Sequence, residues 1–221
     1  MSKTAIVLGA TGLTGNYLVE NLLQDNRYEK VKVFVRRKTE HEHPKLEEYL
    51  CDLLDVKSYQ KHFTGNEVLC CIGTTAAKTP DKEQYKAIDY GIPVHTAALS
   101  KTRGIRTFIV VSALGANTQS RIFYNRLKGE MEKAVLEKGP ERIFILQPSL
   151  IEGKRNEKRI GEWIGKQLFK AANFLLMGPL RKYRSIHARD VAIAMIKLAN
   201  GTQAPGIIPS DGIYRIANSK K

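Results

Sequence analysis

The stretch Ala5-Ile6-Val7-Leu8-Gly9-Ala10-Thr11-Gly12-Leu13-Thr14-Gly15 decides the fold of this chain. Four apolar residues read as a buried strand, and a G-x-x-G-x-x-G turn ends it. An amphipathic segment, Asn16 to Gln24, follows, so the helix is expected from Gly12 to Gln24. Strand, glycine turn and helix in this order make a glycine pattern informative about phosphate binding. Gly9 allows the tight turn, Gly12 leaves the backbone bare for a pyrophosphate, and Gly15 lets the helix pack closely on the strand. The helix N-terminus adds unpaired N–H groups and a partial positive charge. Together with Thr11, Leu13 and Thr14 the glycines form a candidate phosphate loop. The competing reading is a plain strand-to-helix turn.

Outward from this loop, apolar runs alternate with segments of helical period. Strands are expected at Thr4–Leu8, Val31–Arg36, Glu48–Cys51, Glu67–Ile72, Thr107–Val111 and Ile143–Gln147, and one more near Gly212–Ile216. Helices are expected at Val56–Phe63, Lys82–Tyr90, Ile92–Lys101, Arg121–Lys138, Gly161–Phe174 and Ala188–Ala199. Continuous Val/Ile/Leu/Phe runs suit strands covered on both faces. Strand and helix in turn imply βαβ units and a parallel sheet. The expected fold class is α/β: one doubly wound Rossmann domain over residues 1–221, its mainly parallel sheet flanked by helices. Residues 148–221 would add a small substrate-side lid.

Composition narrows the function classes. The length of 221 residues suits one α/β domain, and 43% hydrophobic with 26% charged residues is the balance of a soluble globular protein. The chain enters its first strand at once, so no cleavable signal peptide is expected, and no apolar run is long enough to span a membrane. Cys51, Cys70 and Cys71 are too few and too clustered for a disulfide framework, and read as reduced thiols of a cytoplasmic protein. The net charge of +14 is spread along the chain, densest at Arg36-Arg37-Lys38, Lys154 to Arg159 and Arg181-Lys182 with Arg184. None of these clusters is interleaved with aromatics in an RNA-binding pattern, so nucleic acid is disfavoured. An anionic cofactor and solvated surface charge account for the excess. The stripe Ile164, Leu168, Ala171 and Leu175 between Trp163 and Leu176 reads as core or cleft cover ahead of a membrane-surface or partner-helix contact. His41 and His43 lack spaced partner ligands, so no metal site is expected. His187 is open between helix capping and substrate contact.

The second strand selects the cofactor. In a Rossmann unit an acidic residue about 20 residues past the glycines holds the ribose 2′-hydroxyl of NAD. Here Val31-Lys32-Val33-Phe34-Val35 runs into Arg36-Arg37 instead. Guanidinium groups bind a 2′-phosphate that a carboxylate would repel, which favours NADP(H). Asp52, with Leu53 beside it, either reads the adenine edge or caps the helix that follows. Ile72, Gly73 and Thr74 end the fourth strand where cofactor ribose and phosphates approach.

A candidate catalytic set lies past the middle. Strand Ile109-Val110-Val111 ends in Ser112, and Tyr124-Asn125-Arg126-Leu127-Lys128 follows inside a helical segment. Tyrosine and lysine at i and i+4 share a helix face. A free phenol has a pKa of about 10, and a nearby ammonium with a positive nicotinamide ring pulls it down. Lys128 could also hydrogen-bond the cofactor ribose, and Ser112 could donate to the substrate oxygen.

On Gly9–Gly15, Cys70-Cys71-Ile72-Gly73-Thr74-Thr75, Val111-Ser112, Tyr124–Glu130, Gln147-Pro148-Ser149 and Gly161-Glu162-Trp163, the chain resembles the short-chain dehydrogenase/reductase superfamily. The likeness is to its atypical or extended branch, and there to the small NADPH-binding, epimerase-like group that includes the human Tat-interacting protein of 30 kDa. The resemblance implies Ser112, Tyr124 and Lys128 as the catalytic triad and Gly9, Thr11, Gly12, Leu13, Thr14 and Gly15 as the phosphate loop. It implies Arg36 or Arg37 for the 2′-phosphate, with Pro148 among the cofactor contacts. Asp89 stands where the superfamily often has a proton-relay Asn, which puts that relay in doubt.

The reading is an NADP(H)-dependent oxidoreductase that moves a hydride to or from a carbonyl or hydroxyl carbon of a small substrate. The alternatives are an NADPH-binding regulatory or scaffold protein, with a protein partner or a second copy of the chain, and a sugar-nucleotide epimerase or dehydratase. If Arg36 and Arg37 hold a 2′-phosphate, changing both to alanine lowers the affinity ratio of NADPH to NADH by about tenfold or more. An unchanged ratio in a fluorescence titration would exclude that role.

Overall fold

The computed structural model describes residues 2–153 and 183–219. The helix expected over Gly161–Phe174, the apolar stripe up to Leu176 and the basic clusters at 154–159 and 181–182 lie outside them.

β1 (Lys3–Leu8) leads through the glycine turn into α1 (Leu13–Gln24), and β2 (Tyr28–Val35) returns parallel to β1. β3 (Leu46–Leu50) and β4 (Glu67–Cys70) follow, then α2 (Lys82–Lys86) and α3 (Ile92–Thr102). β5 (Thr107–Val111), α4 (Phe123–Lys138) and β6 (Arg142–Gln147) come next. A short ladder pairs β7 (Ile151–Glu152) with β8 (Ile186–His187). The described chain ends with α5 (Ala188–Asn200), β9 (Gly206–Pro209) and α6 (Ser210–Asn218). Seven strands join in the order β3-β2-β1-β4-β5-β6-β9, every neighbouring pair parallel. This is the doubly wound order, and its topological switch point falls between β1 and β4.

The alternation of strand side chains divides the core into two layers. Ala5, Val7, Leu69, Ile109, Phe144 and Leu146 face α1, α5 and α6. Ile6, Leu8, Val68, Phe108, Val110, Ile143 and Ile145 face α3 and α4. Both faces of the sheet are therefore dry, as the continuous apolar runs implied. The segment after Gln147 supplies α5, which packs beside α1, and the seventh strand.

Three expectations change. The helix expected at Val56–Phe63 is a single 3₁₀ turn, Val56–Ser58. Tyr59 and Phe63 instead turn inward onto Phe34, with ring centroids 5.7 and 5.4 Å away. The strand expected near Gly212–Ile216 is the helix α6, in which Ile213 and Ala217, one turn apart, are buried. The strand lies one element earlier, at Gly206–Pro209, too short to show a period. The helix expected over Lys82–Tyr90 breaks after Lys86 into a π-helical turn, Ala87–Gly91, that runs directly into α3.

Phe108 is fully buried in the central strand β5. Phe108→Ala should lower unfolding stability by about 3–5 kcal/mol in urea titration, and a loss under about 1 kcal/mol would contradict this packing.

Candidate nucleotide-binding and catalytic site

The glycine turn is built as tightly as its residue types allow. Gly9 sits at φ +81°, and a Cβ there would lie 2.8 Å from the backbone of Cys71, just after β4. A Cβ on Gly15 would lie 2.0 Å from the Gly9 carbonyl oxygen, so only glycine lets α1 start this close to β1. The first turn of α1 has no side-chain cap and no acidic residue. Its amide ends and dipole are thus left to a ligand anion.

A groove of about 790 Å³ opens over the carboxyl ends of β1, β2 and β4. Gly9, Thr11, Gly12, Arg36, Arg37, Asp52, Leu53, Ile72, Gly73 and Thr74 line it. An adjoining lobe of about 640 Å³ adds Leu13, Asn16 and Tyr17 from α1. Arg36 and Arg37 are exposed at the rim. Thr14 and Gly15 are buried beneath the loop. Gly73 lines the groove, and a Cβ there would meet only the Asp89 carboxylate, at an ordinary contact distance of 3.6 Å. Asp52 accepts a hydrogen bond from Leu54 N at 3.0 Å, while Asp55, not Asp52, caps the 3₁₀ turn. These residues fit a dinucleotide: bare backbone for the pyrophosphate, cations at the β2 end, a glycine floor at β4.

Ser112 directly follows β5 and continues the pairing with β6 through Ser112 N to Leu146 O, 2.7 Å. Pro148 is buried and its carbonyl accepts from Leu114 N at 2.9 Å, which ties the loop after Ser112 to the end of β6. Tyr124 and Lys128 lie one turn apart on α4. Tyr124 is 38% exposed, whereas Lys128 is buried. The Lys128 Nζ sits 3.0 Å from Asp89 Oδ1, with side chains 3% and 1% exposed. The other carboxylate oxygen of Asp89 accepts from Thr74 N at 2.7 Å. Asp89 belongs to the π-helical turn, a feature frequent at functional sites.

Burial disfavours the Lys128 ammonium, yet the charges of Asp89 and Tyr124 and the Asp89 hydrogen bond outweigh it and raise its pKa. Tyr124 departs from the sequence expectation. Desolvation raises the phenol, Lys128 lowers it, Asp89 raises it again, and the net shift in the protein alone is upward. The main physical reason is burial of the phenol, and Asp89 adds to it by setting a carboxylate against the ammonium that was expected to act alone.

Two residues were missed or left open. Glu132, one turn beyond Lys128, is buried, takes the Ser112 hydroxyl on Oε1, and accepts from Gln147 Nε2 at 2.9 and 3.0 Å. Its spacing continues Tyr124-x-x-x-Lys128 by four residues, but only its burial sets it apart from the neighbouring charges. His187 caps α5, its Nδ1 accepting from Arg189 N at 3.1 Å, and its ring stands 5.6 Å from Tyr17. Burial pushes the Cys70 thiol up to about 11 and Cys71 well above the usual range, which makes both poor nucleophiles. His41 Nε2 pairs with Asn16 Oδ1 at 2.9 Å. Among the described residues no three His, Cys, Asp or Glu side chains gather as a metal site.

Residues 9–148 match the protein family described as NAD(P)H-binding. The chain belongs to this NAD(P)H-binding family. It is 31% identical over 172 residues to Protein HTATIP2 of Rattus norvegicus, covering 76% of this chain and 71% of the relative. It is 30% identical over 171 residues to Protein FMP52, mitochondrial, of Lodderomyces elongisporus, covering 72% and 71%. The fold matches a short-chain dehydrogenase/reductase superfamily protein from Agrobacterium tumefaciens with bound NAD: TM-score 0.69, 16% identity, 92% of this chain and 76% of that one. The expected cytoplasmic location is overturned. FMP52 proteins of Lodderomyces elongisporus, Debaryomyces hansenii and Candida albicans are all named mitochondrial. The expectation rested on secretory leaders and cysteine usage, and mitochondrial targeting segments are of another kind, basic and amphipathic.

Asp89→Leu leaves the Lys128 ammonium buried and unpaired and should cost about 3–5 kcal/mol of unfolding stability. Asp89→Asn keeps the shape and removes the charge, so the Tyr124 phenol should titrate lower than in the wild type. An unchanged or higher midpoint in tyrosine-selective NMR would contradict the assigned cause.

Proposed function

We propose that this protein is an NADP(H)-dependent oxidoreductase acting on a carbonyl or hydroxyl of a small substrate, with Ser112, Tyr124 and Lys128 as its reacting set. The observation that supports the reading is the link from Lys128 through Asp89 to the amide of Thr74, which lines the groove over the β1–β4 switch point, with Tyr124 one turn before Lys128 on α4. The bound dinucleotide would supply or accept the hydride. Gly9, Gly12 and the first turn of α1 hold the pyrophosphate, and Arg36 and Arg37 hold the 2′-phosphate through charge-assisted hydrogen bonds. Leu53, Ile72, Gly73 and Thr74 seat the adenosine and ribose side. Asp52 at the rim reads the adenine edge.

Tyr124 Oη holds the proton that a carbonyl oxygen receives on reduction, and takes it back on oxidation. Its raised pKa keeps it protonated at neutral pH, which suits the reductive direction. Lys128 places a positive charge behind the phenol and reaches the ribose side. Asp89 anchors Lys128 and holds the Thr74 amide that floors the groove. One solved protein of similar fold binds NAD together with UDP-glucose, which leaves sugar-nucleotide chemistry as a comparison for the substrate screen.

One observation favours a second reading, a cofactor-binding regulatory protein with little catalysis. The Lys128 charge is matched by Asp89 at 3.0 Å, so less of it is available to stabilise a phenolate.

A screen of aldehydes, ketones and aromatic 1,2-dicarbonyls, following NADPH absorbance, separates the two. The oxidoreductase reading expects turnover that Tyr124→Phe lowers by roughly 10²-fold or more with NADPH affinity unchanged. Full activity in Tyr124→Phe would remove Tyr124 from the reaction. NADPH binding without any turnover would put the regulatory reading first.

A further inference from the structure

Tyr124, Lys128 and Glu132 form one stripe along α4, at i, i+4 and i+8. The first two are accounted for above, and Glu132 is not. It is only 6% exposed, and its two hydrogen-bond partners are neutral: the Ser112 hydroxyl just after β5 and the Gln147 amide at the end of β6. A buried carboxyl held by neutral groups is costly unless its hydrogen bonds are complete. Gln147 Nε2 can only donate, so it fills acceptor positions on both carboxyl oxygens. The remaining bond, between Glu132 Oε1 and Ser112 Oγ, can run either way.

That direction matters to a substrate. With Glu132 ionised, Ser112 donates its only proton to the carboxylate and offers the site lone pairs. With Glu132 protonated, the carboxyl donates to Ser112 Oγ, and the Ser112 proton is released to a substrate oxygen. We infer that Glu132 is a positioning residue that sets whether Ser112 donates or accepts, and that carbonyl reduction draws on the form in which Glu132 carries the proton. This rests on the oxidoreductase reading, because it assigns Ser112 to the substrate oxygen. Burial favours that neutral form, raising the carboxyl above the ordinary glutamate range, while Ser112, Gln147 and, from its own helix, the Lys128 charge pull the other way.

The same logic makes glutamine a close stand-in for the protonated form. Its carbonyl accepts from Gln147 and its N–H donates to Ser112. Leucine offers neither.

The experiment uses the full chain as wild type, Glu132→Gln, Glu132→Leu and Ser112→Ala. It reads NADPH-dependent reduction of an aromatic 1,2-dicarbonyl across pH, NADPH affinity, and glutamate side-chain ¹³C NMR. In Glu132→Leu the expected result is a fall in kcat of roughly 10²-fold with NADPH affinity unchanged. Glu132→Gln should rescue that loss and remove the decline in rate that the wild type shows as Glu132 ionises. Equal kcat and identical pH profiles in wild type and both Glu132 variants would overturn the inference and leave the oxidoreductase reading standing. A wild type that never reduces the probe counts against that reading instead, and the NMR arm then decides the hydrogen bond. There, Ser112→Ala must shift the Glu132 carboxyl midpoint upward, because the bond lost from the ionised form is charge-assisted and stronger than the one lost from the neutral form. An unchanged midpoint overturns the inference.

Discussion

The buried pair of Lys128 and Asp89, 3.0 Å apart, is the constraint around which the site is arranged. An ammonium and a carboxylate cannot stand alone in a dry core, so each fixes the place of the other. Lys128 rides on α4, Asp89 on the π-helical turn before α3, and the second Asp89 oxygen holds the Thr74 amide on the groove floor. Three segments far apart in sequence are thereby brought into register. The π turn widens the helix at the point where Asp89 enters the interior. The pair also has a chemical consequence. It leaves the Tyr124 phenol higher than a lone lysine would, which suits proton donation to a carbonyl oxygen in the proposed reaction.

Much of the fold was legible in the sequence because the sheet is parallel and covered on both faces. Such strands are continuous apolar runs, and β1, β4, β5 and β6 stand where those runs are. The glycine turn was legible for a steric reason: Gly15 meets the Gly9 carbonyl so closely that no other residue serves. The errors are equally physical. Tyr59 and Phe63 have helical spacing, but their rings are drawn into the aromatic cluster on Phe34, and tertiary packing overrides the local period. Gly206-Ile207-Ile208-Pro209 is too short to display alternation, and its neighbour Ile213 was read as strand when it belongs to the buried face of α6.

The candidate site divides in the same way. Gly9, Gly12, Ile72 and Gly73 could be placed from the sequence because they follow strand ends. Ser112, Tyr124 and Lys128 could be proposed from their order. Glu132 could not, since Glu130-Met131-Glu132-Lys133 reads as charged helix surface until burial singles out one glutamate. The partner of Lys128 was equally hidden, because Asp89 reaches it only through a change of helical type. Location lay beyond a reading based on leaders and cysteines, and the mitochondrial names of the fungal relatives corrected it.

The central claim is that the groove over β1, β2 and β4 takes a nicotinamide dinucleotide and that the cationic β2 end prefers the 2′-phosphorylated form. Titration of the purified protein with NADPH and with NADH, followed by nucleotide fluorescence, tests it most directly. The account predicts saturable NADPH binding at least roughly tenfold tighter than NADH, the scale of one charge-assisted contact. Equal affinity for the two would contradict the arginine assignment, and binding of neither would contradict the groove itself.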